Sequence, residues 1–145
     1  MRKFEVVKDC PFPVKLPERS TEKAAGYDFF SAYTFAIAPG ETLLVKTWVK
    51  AKMNDGEALI LVERSSWGIK KHMSMPNAVG VIDADYYGNK DNDGNIMFAF
   101  TNHGREPLEV KEGERIGQGI FISFLKTDDD YSAGKRQGGI GSTGE

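Results

Sequence analysis

Cysteine is almost absent from this chain. Cys10 stands alone, so no intrachain disulfide can form and a disulfide-stapled fold is excluded. Histidine is nearly as scarce, and His72 and His103 lie far from each other and from Cys10, leaving no zinc-site spacing. No stretch approaches the roughly 18 apolar residues of a membrane span; ETLLVKTWVK and IGQGIFISFL are short and mixed. Nor does a basic start followed by an apolar run mark a secretory leader. A soluble protein in a reducing, cytoplasmic setting is the expectation. An excess of one charge is also missing, since 19 Lys and Arg against 21 Asp and Glu leave a net charge of −2. Stable binding to nucleic acid or to a membrane surface is therefore not expected. A small anionic ligand would need cations placed locally.

What is present is the punctuation of a sheet protein. The 145 residues fit one domain large enough to bury a core. Short segments rich in Val, Ile, Phe and Thr (FEVV, YTFAIA, LLVKTWVKAKM, EALILVE, AVGVID, NIMFAF and IGQGIFISF) read as strands. Pro39-Gly40, Asn54-Asp55-Gly56, Asp91-Asn92-Asp93-Gly94 and Glu112-Gly113 supply turn chemistry between them. The pattern predicts an all-β sandwich or barrel. Only SSWGIKK, residues 65–71, reads as helical: a single turn capped by its serines and disrupted by its own glycine. From Asp128 the chain turns polar, with glycines at 134, 138, 139, 141 and 144. Residues 1–127 are thus expected to form the core and 128–145 a flexible arm.

Five segments occur in order: AAGYDFF at 24–30, ERSSWGIK at 63–70, NAVGVIDADYYG at 77–88, GERIGQGIF at 113–121 and GKRQGGIGSTG at 134–144. Alone, most have bland readings, such as a capped turn, a core strand or a frayed end. Together, in this order and spacing, they resemble the five motifs of the trimeric dUTPase family, from about residue 16 to the end. The resemblance implies a jelly-roll-like β fold assembled as a homotrimer, with each active site shared among three subunits. It implies hydrolysis of dUTP to dUMP and pyrophosphate, with Mg²⁺ held mainly by substrate phosphates and water and no direct protein ligand.

The third segment is the most specific, and in the family it forms a β-hairpin around the uracil. On that resemblance Asn77, Gly80 and Ile82 meet the uracil edge, largely through backbone groups, and Tyr86 packs on the deoxyribose where a 2′-hydroxyl would sit. A cytosine amino group would bring a donor to a donor, leaving unpaired buried groups at about 1–3 kcal/mol each. Asp83 matches the general base that takes a proton from the water attacking the α-phosphorus. A free aspartate is already the base form at neutral pH. Asp85, two residues on, would share a face with Asp83 if the strand continued, though a solvated turn carboxylate is the plainer reading. Arg64, Ser65, Ser66 and Gln118 match phosphate-binding positions, and Asp28 an acidic residue set behind them, acting through water or Arg64. In the arm, Lys135, Arg136, Ser142 and Thr143 fall to the phosphates and Ile140 to the base.

Three departures from the family pattern stand out. Lys135 replaces an arginine, losing a bidentate fork that Arg136 next door can supply. Ile140 replaces a phenylalanine, so the base is covered but not stacked. NKDNDGN at 89–95 is longer and more polar than the usual turn, an insertion of the kind seen in phage-like members. Two alternatives stay open: a dCTP deaminase-like enzyme of the same fold, against which GVIDADY argues, and a phage-type regulatory protein engaging a repressor.

Overall fold

The computed structural model describes residues 1–141. Its strands in chain order are β1 (Lys3–Val6), β2 (Tyr27–Phe30), β3 (Phe35–Ile37), β4 (Thr42–Lys46), β5 (Val49–Lys52) and β6 (Glu57–Val62), then, after a helix α1 (Ser65–Lys70), β7 (Met73–Ser74), β8 (Gly80–Asp83), β9 (Met97–Asn102), β10 (Leu108–Val110) and β11 (Arg115–Ser123). All pairings are antiparallel. The largest sheet has the order β2-β11-β6-β8; β4-β9-β7 form a second, and β1-β5 and β10-β3 pair on their own. This is the all-β, jelly-roll-like architecture expected, with one short helix. No helix among the described residues is long and apolar enough to cross a membrane.

Alternation places the core. Along β9, Phe98, Phe100 and Asn102 point inward while Met97, Ala99 and Thr101 are only half-buried. Phe98 stacks on Phe100 with ring centroids 5.7 Å apart, Phe29 meets Phe98 edge-on at 5.5 Å, and Trp67 leans on Phe100 at 4.8 Å. Asn102 is tolerated there because its amide donates to Ile37 O at 3.0 Å and Glu106 O at 2.8 Å, and its oxygen accepts from Gly104 N at 2.9 Å. Gly117 lets β11 cross this aromatic layer, since a Cβ there would stand 2.4 Å from Phe98 Cε1.

The turns expected at 39–40, 54–56, 91–94 and 112–113 are present, with Gly40, Gly56, Gly94 and Gly113 all at positive φ. Elsewhere the structure corrects the sequence reading. LLVKTWVKAKM is not one strand: Trp48 takes φ 60°, and β4 and β5 enter different sheets. The kink is fixed from outside, by Thr47 Oγ1 donating to Ile96 O at 2.7 Å and Trp48 N to Asn95 Oδ1 at 2.9 Å. β2, β7 and β10 were not among the expected strands. In α1 no serine caps the helix; Arg64 holds the N-cap position with no side-chain hydrogen bond, and Gly68 does not break the turn. Burial of Trp67 compensates for both.

Candidate active site

β8 is the edge strand of the main sheet, and its register on β6 sets Gly80 opposite Leu61 and Asp83 opposite Ala58. After Asp83 the chain leaves the ladder and coils into a 3₁₀ turn, Ala84–Tyr86. The expected hairpin at 77–88 is therefore not found within the chain: β8 pairs with β6 alone, and residues 75–79 form a turn in which Ala78 has φ 60°. The left-handed Ala78 turns the backbone out of the β7 ladder before β8 begins. For the same reason Asp85 lies on a turn and not on a continued strand.

Asp83 and Asp85 nevertheless converge on one cation. Arg136 Nη2 lies 2.8 Å from Asp83 Oδ2 and its Nε 2.8 Å from Asp85 Oδ1. The arginine side chain is 10% exposed, whereas the two carboxylates are 56% and 58% exposed. Its guanidinium carbon sits 5.6 Å from the Tyr86 ring centre. Hydrogen bonding to Asp85 is the chief reason its pKa is raised, with the charge of Asp83 adding to it against the opposing effect of burial. Because both acids are largely solvated, the clasp is worth no more than about 1 kcal/mol. A ligand carrying more negative charge can displace it.

Tyr86 is buried beneath this clasp, its hydroxyl donating to Asn95 O at 2.7 Å and accepting from Asn92 Nδ2 at 2.9 Å. Burial is the main cause of its raised pKa. Beside the clasp opens a cleft of about 890 Å³ whose walls include Asp83, Asp85, Lys126 and Lys135. Five carboxylates line it (Asp55, Glu57, Asp83, Asp85 and Asp130) against three cations (Lys126, Lys135 and Arg136). That balance cannot hold a triphosphate unaided, so further positive charge must come from elsewhere.

Gln118, Arg64, Ser65, Ser66 and Asp28 occupy the other end of the sheet. Gln118 on β11 pairs with Val62, four residues along β6 from Ala58, the partner of Asp83. This is about 13 Å of strand. Arg64, Ser65 and Ser66 follow directly, with Arg64 Nη1 reaching Arg115 O at 3.5 Å. Asp28, beside Gln118 in the ladder, pairs with Arg115 at 3.3 Å; Arg64 is not its partner. Asn77 is exposed in the turn, Ile82 half-buried against the core, and Ile140 69% exposed on the arm. Ser142 and Thr143 lie outside the described residues. Among the described residues no three His, Cys, Asp or Glu side chains cluster as a metal cage.

Sequence reading passed over two contributors. Asp85 was set aside as a turn carboxylate, yet it holds Arg136. Asp91 had no role, yet its carboxylate receives the Gly139 amide at 2.7 Å. The polar run NKDNDGN was the signal available for the second.

The dUTPase family model matches residues 13–144, nearly the whole chain. A deoxyuridine 5′-triphosphate nucleotidohydrolase of Lactococcus lactis is 46% identical over 99% of this chain and 98% of its own. Its counterpart from Mus musculus is 40% identical over 89% of this chain and 78% of its own. Among solved structures, the dUTPase of Streptococcus mutans superposes with a TM-score of 0.82 at 43% identity, covering 86% of this chain and 98% of that one. A dUTPase of phage phi11 of S. aureus has the same fold at 22% identity and a TM-score of 0.71, covering 90% of this chain and 98% of its own. The match spans the core and the glycine-rich arm alike, and the chain belongs to the dUTPase family.

Proposed function

We propose that this protein hydrolyses dUTP to dUMP and pyrophosphate, with Asp83 drawing the proton from the water that attacks the α-phosphorus. The observation that carries the reading is the placement of Asp83: a half-exposed carboxylate at the end of an edge strand, at the wall of the cleft, inside the most specific motif. Asn77, Gly80 and Ile82 lie at the start of or along the same short segment, where backbone groups can read a pyrimidine edge. Tyr86 excludes a ribose hydroxyl by its fixed, buried ring. Arg64, Ser65, Ser66 and Gln118 take the phosphates with Asp28 behind them. Lys135, Arg136, Ser142 and Thr143 close from the arm, and Ile140 covers the base. Residues 1–127 act as the core and 128–145 as the arm.

Mg²⁺ fits the surplus of carboxylate in the cleft, entering with the triphosphate and keeping its waters. It supplies charge neutralisation on the phosphates. The phage phi11 dUTPase structure holds a structural Mg(II) ion. On this reading Arg136 exchanges Asp83 and Asp85 for phosphate oxygens, freeing the base as substrate arrives. A cytoplasmic enzyme without nucleic-acid or membrane partners remains the reading that fits its charge and composition.

Pyrophosphate release, measured side by side with dUTP, dTTP, UTP and dCTP in Mg²⁺, is expected only with dUTP at appreciable rate. Comparable release from dTTP or UTP would remove the proposed pocket, and ammonia from dCTP would place the chain with the deaminases instead.

The offset of about 13 Å along β6 between the partners of Asp83 and Gln118 also argues that one chain does not complete a site. General-base chemistry needs the water within hydrogen-bond reach of the carboxylate while the phosphates stay clamped. A homotrimer in which a neighbour's Arg64 end meets this chain's Asp83 end resolves the separation. In sedimentation the protein should run at about 48 kDa, as three 16.1 kDa chains. An active 16.1 kDa species would contradict shared sites.

A further inference from the structure

The 89–95 loop, an insertion without an assigned role, is densely hydrogen-bonded and touches the arm. Asn89 Oδ1 accepts from Asp91 N at 3.0 Å and Asn92 N at 3.1 Å, while its amide donates to Tyr86 O and Asn92 Oδ1, both at 2.7 Å. Asp93 is pinned by Lys50 Nζ and Lys8 N, each at 2.8 Å. These bonds outweigh the effect of burial, which would raise the Asp93 pKa, and leave it lowered. The loop is therefore a rigid body fastened to Tyr86 and to β5.

The arm meets this body at two glycines. Gly138 and Gly139 are buried in a tail otherwise mostly exposed. Gly139 N donates to Asp91 Oδ2 at 2.7 Å. A Cβ on Gly138 would stand 2.3 Å from that same oxygen and 2.8 Å from Asp91 Cγ, and one on Gly139 would stand 3.1 Å from Asn92 Nδ2. Asp91 cannot swing clear of a methyl group without releasing the Gly139 amide. The same turn of the arm sets the carbonyls of Gly138 and Gly139 at 3.4 and 3.3 Å from Arg136 Nη1. Seating the glycines thus orients the guanidinium that faces Asp83.

We propose that the 89–95 loop is the seat of the C-terminal arm and that Asp91 is a positioning residue. It captures the Gly139 amide and admits only glycine at 138, and so holds Arg136 at the cleft. The proposal builds on the hydrolytic reading, in which the arm closes over the substrate, but the contact exists without nucleotide.

The test uses the full-length protein without nucleotide, following tryptic cleavage after Lys135 and Arg136 by mass spectrometry, with dUTP kinetics measured in parallel. Asp91→Ala should speed cleavage about tenfold, as loss of one charge-assisted hydrogen bond allows. It should raise KM for dUTP more than it lowers kcat, with the melting temperature unmoved because Asp91 is exposed. Asp91→Asn, which keeps an oxygen for the amide, should restore most of the protection. Gly138→Ala should mimic Asp91→Ala, and adding it to Asp91→Ala should cost little more, since the oxygen it strikes is gone. Unchanged protection in Asp91→Ala, or fully additive losses in the double variant, overturns the proposal. Failure of the wild-type protein to hydrolyse dUTP would refute the functional reading and leave the cleavage result interpretable.

Discussion

Replacing Asp83 with asparagine is expected to lower turnover of dUTP by roughly 10²- to 10⁴-fold, the range over which a positioned base accelerates proton transfer. Binding should survive. The amide fills the same volume at the end of β8, keeps an acceptor oxygen and leaves the pairing with Ala58 intact, because that pairing is made by backbone. What it loses is the ability to take the water's proton. Asparagine also loosens the hold on Arg136, but Asp85 remains at 2.8 Å and a solvated pair contributes no more than about 1 kcal/mol. The change in affinity should therefore stay within about fivefold. Pyrophosphate release, with calorimetric binding of a non-hydrolysable dUTP analogue in Mg²⁺, measures both quantities. Near-normal turnover would remove Asp83 as the base.

Ending the chain after Ser132 should abolish most hydrolysis, at least about a hundredfold, while leaving thermal unfolding almost unmoved. The core cluster contains nothing beyond Ile116, and the last apolar residue packed on it is Phe121. Of the described residues lost, only Arg136, Gly138 and Gly139 are more than slightly buried. The energetic loss is thus a surface clasp and one amide hydrogen bond, small beside the burial of Phe29, Phe98, Phe100 and Trp67. Catalysis has more at stake, because the arm carries Lys135, Arg136, Ser142 and Thr143 and would exclude water around the triphosphate. Melting curves and initial rates of the truncated and full-length proteins decide the matter. Unchanged hydrolysis would make residues 133–145 an ordinary terminus.

Strand runs were legible wherever apolar alternation and glycine turns coincided, as along β6, β9 and β11. The break at Thr47-Trp48 was not, because both residues favour strands and the kink is imposed by Asn95 and Ile96, nearly fifty residues away. β2 and β10 were also missed: YDFF buries two successive residues and does not alternate, and LEV is three residues long with a charge at its centre. At the site, the ordered motifs pointed to Asp83, Tyr86 and the arm. They could not show that Asp85 and Asp91 hold the arm, since those contacts span 51 and 48 residues. No local pattern encodes a partner that distant. The missing hairpin has the opposite origin. The segment was read as pairing with itself, whereas β8 found its ladder on β6.

The position of β6 between the two halves of the site bears on inheritance. One end of the strand leads to Arg64 and Gln118 and the other to Asp83; in the proposed trimer, a centre shared between copies would draw each end from a different chain. Damage confined to opposite ends would then be complementary: a chain lacking the base and a chain lacking the phosphate clamp can still furnish one whole centre between them. Two alleles faulty at different ends would rescue each other in mixed assemblies, whereas two faulty at the same end would not. The severity of a damaging variant would depend on its companion allele as much as on the residue changed.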